Sequence, residues 1–72
     1  MTADQIKEHL QEALFRPFKI ISADGHAIEV PHQDYVSFGP KGRTAVVWKP
    51  NEGFNVVDIM LVTRLEFEGA KP

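Results

Sequence analysis

The sequence predicts an α+β fold in which one N-terminal amphipathic helix precedes a strongly bent antiparallel sheet of five to six strands. Three observations lead to this prediction. Near the N-terminus, apolar residues recur every three or four positions, which is the period of a helix. From residue 18 onward they alternate with polar residues, which is the period of a strand. Turn-forming residues divide this second part into short runs, as expected for hairpins.

The helix is predicted to span residues 3–15. Thr2 and Gln5 have the spacing of a capping box, in which each side chain bonds the backbone N–H of the other residue. Pro17 disfavours helical dihedral angles at the preceding residue, so we expect the helix to end near Phe15. One face of this helix is apolar and is expected to pack on the sheet. Its apolar residues are Ile6, Leu10, Ala13 and Leu14.

The first two strands are predicted to form a hairpin. The pair Asp24-Gly25 lies between residues 18–23 and 26–30 and is a strong signal for a two-residue type I′ turn. Pro31 cannot donate a hydrogen bond to a neighbouring strand, so the second strand is expected to end or bend there.

The rest of the chain is predicted to continue as a meander whose last strand closes the sheet. Residues 58–61 break the alternation and favour a short helical turn capped by Asp58. Short strands with open edges favour closure or pairing with a second subunit, which indicates a small barrel of the SH3-like or Sm-like kind. A helix-capped open sheet is the less favoured variant. The later strands are predicted at residues 35–38, 44–48, 54–57 and 62–67.

Size and composition limit what this chain does. Its 72 residues allow one domain, expected over residues 1–67 with a frayed tail at 68–72. The absence of cysteine excludes disulfides, thiolate nucleophiles and cysteine-zinc sites. A net charge of −2 argues against a general binder of polyanions. The N-terminus lacks a secretory pattern and no apolar run is long enough to cross a bilayer, so we expect a cytoplasmic protein with no membrane partner.

The candidate catalytic and metal-binding side chains have simpler structural explanations. His26, His32 and Asp34 are residue types that bind metals, but no metal motif contains them. We expect Asp34 to cap its turn through Asx hydrogen bonds, while Asp24 serves a turn and Asp58 a helical cap. No carboxylate has an identifiable partner for acid–base work, and no serine lies in a nucleophile-elbow pattern. The sequence therefore predicts no enzyme, no metal and no cofactor.

Aromatic residues are numerous for so small a domain, and some are expected to stay exposed as part of an interface. The candidate interface residues are Phe15, Phe18, Tyr35, Trp48 and Phe67. Basic residues bracket the fourth strand, next to aromatic rings on which nucleic-acid bases would stack. These candidate nucleic-acid residues are Lys41, Arg43 and Lys49.

Five segments along the chain are LFRPF at residues 14–18, ADG at 23–25, VPHQDY at 30–35, VDI at 57–59 and VTRLE at 62–66. Together they resemble a widespread family of short, uncharacterised bacterial proteins over roughly residues 10–66. This resemblance implies a shared shape and carries no activity with it.

A second resemblance concerns the order of elements. A helix ahead of a five-stranded bent sheet, with QDYV at residues 33–36, is similar to the bacterial Sm-like RNA chaperones. This similarity implies a single-stranded RNA site lined by basic residues of a second motif. The chain departs from that pattern, because VDI stands at residues 57–59 in place of the basic element. The glycine of the bent second strand has no counterpart either, and Pro31 lies near its expected position.

These observations favour a non-enzymatic interaction module that associates with itself or with another protein through a strand edge and an aromatic surface. A homo-oligomer and a monomer are equally compatible with the sequence. The alternative hypothesis is a weak Sm-like binder of single-stranded RNA or DNA. An enzyme is the least favoured class.

Overall fold

The structure is a computed structural model and describes residues 1–68. This part of the chain contains one α-helix, six strands and two short 3₁₀ helices, so the predicted α+β class is confirmed. In chain order the elements are α1 (Ala3–Leu10), β1 (Phe18–Ser22), β2 (Ala27–Val30), a first 3₁₀ helix (Gln33–Tyr35), β3 (Val36–Phe38), β4 (Thr44–Trp48), β5 (Phe54–Asp58), a second 3₁₀ helix (Ile59–Leu61) and β6 (Val62–Phe67).

The start of α1 agrees with the sequence, whereas its end does not. Gln5 N–H donates to Thr2 Oγ1 over 3.2 Å and Thr2 N–H donates to Gln5 Oε1 over 2.8 Å, so the capping box is confirmed. The helix ends at Leu10, and the prediction that it continues to residue 15 is wrong. A short helix is held by packing of its apolar face, and Leu14, 85% exposed, has no surface to pack on.

The six strands form two antiparallel sheets with the orders β2-β1-β6 and β3-β4-β5. The predicted meander is interrupted between β2 and β3, where the chain changes sheet through the first 3₁₀ helix. Pro31 follows the last residue of β2 and lacks the N–H that would extend the ladder. The last strand, β6, returns to pair with β1, with Phe67 opposite Phe18.

The β1–β2 hairpin is present, but its turn is not of type I′. Gly25 has a φ of +88°, while Asp24 does not enter the left-handed region that type I′ requires of both central residues. Gly25 N–H donates to the Ser22 carbonyl over 2.9 Å and Ser22 N–H donates to the His26 carbonyl over 3.0 Å. This is a three-residue connection that ends in a left-handed glycine.

The core lies between the two sheets and is covered by α1. Ile6, Ile20 and Ile59 come from the helix, from β1 and from the second 3₁₀ helix, and each is 1% exposed or less. The second 3₁₀ helix is capped as predicted, because Asp58 Oδ1 accepts a hydrogen bond from Met60 N–H over 3.0 Å. The predicted tail falls outside the described residues except for Glu68, whose carbonyl accepts a hydrogen bond from Arg16.

Candidate interaction surface

The outer face of β4 and β5 carries apolar side chains in a place where polar ones are usual. Val47 and Val57 point into the core and are 1% and 5% exposed. Because side chains alternate along a strand, Trp48, Phe54 and Val56 point outward, with exposed fractions of 42%, 54% and 66%. An antiparallel sheet with one solvated face normally places polar residues there. We call these three outward residues the β5 patch.

The members of the β5 patch lie side by side in the sheet. Trp48 is directly opposite Phe54, and their ring centroids are 5.1 Å apart at an angle of 49°. Val56 is opposite Val46, which in turn is opposite Ser37 on the far strand of the same sheet. The patch therefore occupies the β5 side of the outer face, whereas the residue aligned with Val56 on β3 is the polar Ser37.

Two further exposed apolar residues follow β5 in the chain. Met60 and Leu61 follow in the second 3₁₀ helix and are 66% and 55% exposed. The Met60 sulfur accepts a hydrogen bond from the Arg43 guanidinium over 3.4 Å. The neighbouring exposed apolar side chains of the β5 patch are typical of an interaction site.

A groove of about 960 Å³ runs beside the patch, between β2 and the β1–β2 turn on one side and β5 with the β4–β5 turn on the other. Ile28, Trp48 and Val56 give it apolar walls. Its lining includes the carboxylates of Asp24, Glu29 and Asp58 and the ammonium group of Lys49, so carboxylates outnumber the lysine.

Asp24 is held in its ionised form by the turn in which it lies. Hydrogen bonds from the Ser22 hydroxyl, from His26 N–H and from the His26 imidazole keep the pKa of this carboxyl well below its usual range. The Ser22 hydroxyl bonds Asp24 while the imidazole bonds the other carboxylate oxygen, so the histidine is not placed to activate the serine. These contacts stabilise the turn, which is the role predicted for Asp24.

The structure separates the predicted interface residues into two groups. Phe18 is 3% exposed and belongs to the core, where its ring lies 5.2 Å from that of Phe67. Phe15 and Phe67 are partly buried and pack against the same core cluster. Tyr35 is partly buried, and its ring centroid lies 5.3 Å from that of His32. Trp48 is therefore the one strongly exposed member of the predicted set.

The predicted nucleic-acid residues do not form one patch. Lys41 and Arg43 precede β4 and Lys49 follows it, and all three are exposed. Arg43 and Lys49 are six positions apart along an extended strand, a separation of about 20 Å. The basic residues therefore lie at opposite ends of β4, and Lys49 is beside the aromatic pair.

The residues considered for metal binding are not brought together. Nowhere in residues 1–68 do three or more His, Cys, Asp or Glu side chains form a group suited to a metal ion. The predicted Asp34 cap is not formed: the N-cap residue of the first 3₁₀ helix is His32, and no side-chain cap hydrogen bond is present there. Asp34 is the second residue of this helix, past the N-cap position from which such bonds form.

Two residues of the β5 patch, Phe54 and Val56, are absent from the predicted interface set. The sequence does contain a signal for them, because the run FNVV places apolar residues on both faces of one strand. Once Val57 is assigned to the core, alternation requires Phe54 and Val56 to face outward.

Comparisons with protein-family models, with curated proteins and with solved structures find no match to this chain. No helix within the described residues is long and apolar enough to cross a membrane.

Proposed function

We propose that this chain is a non-enzymatic interaction module, built as an SH3-like or Sm-like small barrel, that self-associates through the β5 patch. The observation that carries the proposal is the exposure of Trp48, Phe54 and Val56 on one outer face. The barrel assignment is supported by the pairing of β6 with β1 and by the 3₁₀ helix between β5 and β6.

The energy available from this patch favours a weak, concentration-dependent complex. About half of each patch side chain is exposed, so burying it yields about 1 kcal/mol. Two copies contribute six such side chains, or about 6 kcal/mol, against an association cost of 4–15 kcal/mol in lost motional freedom. Further contacts around the patch are needed to exceed that cost, and we expect dissociation constants between micromolar and millimolar.

Light scattering coupled to size exclusion, over a dilution series from about 1 mM to about 10 µM, tests self-association across that range of affinity. We expect a mass above 8.1 kDa at the highest concentration and a fall toward 8.1 kDa on dilution. Val56→Lys should shift this fall in mass to protein concentrations about tenfold higher or more, because it places an ammonium group in the patch. A strictly monomeric wild-type chain at 1 mM would overturn the proposal.

A second candidate function is weak binding of single-stranded RNA or DNA. The observation that favours it is the exposed Trp48–Phe54 pair with Lys49 next to it, because bases stack on aromatic rings beside a cation. The carboxylates of the neighbouring groove oppose it by repelling phosphate.

Titration of labelled oligo-A and oligo-U at two salt concentrations separates the two functions. Binding to phosphate releases counterions, so it must weaken steeply as salt increases. Salt-sensitive binding at micromolar protein, reduced by Trp48→Ala, would support the nucleic-acid function. Absence of binding would remove it and leave the interaction module.

A further inference from the structure

We propose that two copies of the chain pair their β5 strands antiparallel across a two-fold axis at Val56. The two β3-β4-β5 sheets then join into one six-stranded sheet. This inference rests on the proposed function, which requires self-association through the patch, and it adds the edge that pairs and the register of the pairing.

Three of the four sheet edges carry features that hinder pairing with another chain. β3 has three residues and is followed by Gly39 and Pro40. β2 ends at Val30, directly before Pro31, and exposes Glu29. Short strands, prolines and exposed charges are the devices by which proteins protect their edges.

The β6 edge is protected by charge. Arg64 and Glu66 are both exposed, and the Arg64 guanidinium contacts the Glu66 carboxylate at 2.7 Å. A partner strand laid along β6 would meet this ion pair. The β6 edge is therefore a poor template despite its six residues.

The β5 edge lacks each of these protections. Its five residues contain no proline and one charged side chain, Asp58, at the very end. Within the described part of the chain, β5 pairs with β4 on one side and with no strand on the other. The open groove borders β5 through Asn55, Val56, Val57 and Asp58. The least protected edge thus coincides with the exposed apolar patch.

A second copy suits this edge because the strand is complementary to itself. In a two-fold antiparallel pair centred on Val56, that residue faces its own copy and Phe54 faces Asp58 of the partner. All five residues of β5 are then paired. The two Asp58 carboxylates lie about 14 Å apart along the strands, beyond the Debye length of about 8 Å at physiological salt.

The neighbouring registers are less favourable. Centring on Asn55 brings Glu52 of one copy opposite Asp58 of the other, which places like charges face to face. Centring on Val57 leaves Phe54 beyond the paired region of β5, opposite the partner's 3₁₀ helix. The Val56 register avoids both defects.

Single-cysteine variants test the register directly, because the natural chain contains no cysteine. Directly opposite residues in an antiparallel pair have Cα atoms about 4.5 or 5.5 Å apart, and both separations permit a disulfide. Under mild oxidation we expect Val56→Cys to form a covalent dimer on a non-reducing gel. Phe54→Cys alone should not, whereas a mixture of Phe54→Cys and Asp58→Cys should form the mixed dimer.

A matched control lies in the same row of the sheet. Ser37 is exposed and aligned with Val56 through Val46, but it belongs to the opposite edge strand. Ser37→Cys should give no disulfide dimer. Ser37→Lys should leave the dissociation constant within about threefold of wild type, while Val56→Lys should raise it by about tenfold or more. Circular dichroism of every variant verifies that the monomer is folded.

The outcomes separate this inference from the proposed function. Association of the wild type without a Val56→Cys dimer would overturn the β5 pairing and leave the interaction module intact. Equal weakening by Ser37→Lys and Val56→Lys would show that the outer faces stack, which also overturns edge pairing. A monomer at all concentrations would overturn both proposals.

Discussion

Removing one buried side chain from α1 tests whether the helix is an integral part of the core. Ile6 is 1% exposed and packs in the same cluster as Ile20 and Ile59. Ile6→Ala deletes three carbon atoms from this cluster and leaves a cavity, and such changes cost 2–5 kcal/mol in general. We expect a loss of about 3 kcal/mol in the free energy of unfolding.

This loss is large for a chain of this length. At about 0.05–0.15 kcal/mol per residue, 72 residues have an unfolding free energy of about 4–11 kcal/mol. A loss of 3 kcal/mol lowers the melting temperature of so small a domain by about 12–24 °C. Urea unfolding followed by circular dichroism, with Trp48 fluorescence as a second probe, measures the change.

Leu14→Ala is the matched control. The sequence places Leu14 on the same helical face as Ile6, but the structure leaves it 85% exposed. Its replacement should change the unfolding free energy by less than about 0.5 kcal/mol. A loss below about 1 kcal/mol for Ile6→Ala, or equal losses for the two variants, would refute the packing of α1 described above.

Three further predictions concern caps, turns and pH. Thr2→Ala removes half of the capping box and should cost about 1 kcal/mol by thermal unfolding; no change would show that the cap does not hold α1. A Cβ atom added at Gly25 meets no atom within 4 Å, so Gly25→Ala should lower the free energy of unfolding by about 1 kcal/mol through the left-handed backbone alone. Glu52 has a φ of +73°, and Glu52→Gly should therefore raise the free energy of unfolding by a few tenths of a kcal/mol or more. The pKa of Asp24 in the folded chain is lowered from its ordinary value of 3.8. The ionised carboxylate therefore stabilises the folded state fully above pH 3.8, and this contribution is lost as the pH falls through the lowered pKa. Ser22→Ala should move the carboxyl titration measured by NMR to higher pH, and an unchanged midpoint would contradict the assigned hydrogen bond.

Local signals in the sequence predicted the elements whose cause is local. The capping box at Thr2, the Asp24-Gly25 connection and the Asp58 cap each depend on residues a few positions apart, and all three are present. The strand assignments also followed from alternation, which one buried face imposes. The class of the fold was therefore readable from the chain alone.

Features that depend on residues far apart in the chain could not be predicted from the sequence. The periodicity of residues 6–14 continues past Leu10, but a helix persists only where another element covers its apolar face. The Asp24 turn adopts a left-handed conformation at Gly25 only, because the β1–β2 pairing sets the length of the connection. In the same way, the sequence shows how many aromatic residues there are, but only the structure shows that Phe18 is buried and Trp48 is exposed.

The sequence by itself determined the α+β class, the caps at Thr2 and Asp58, the position of the Asp24-Gly25 hairpin and the absence of cysteine chemistry, since each follows from residue type and short-range spacing. The tertiary structure decided that β6 pairs with β1, that α1 ends at Leu10 and that Phe54 and Val56 face solvent. An apolar residue remains exposed where no other element packs against it. Such packing depends on contacts between residues far apart in the chain, which short-range patterns do not specify.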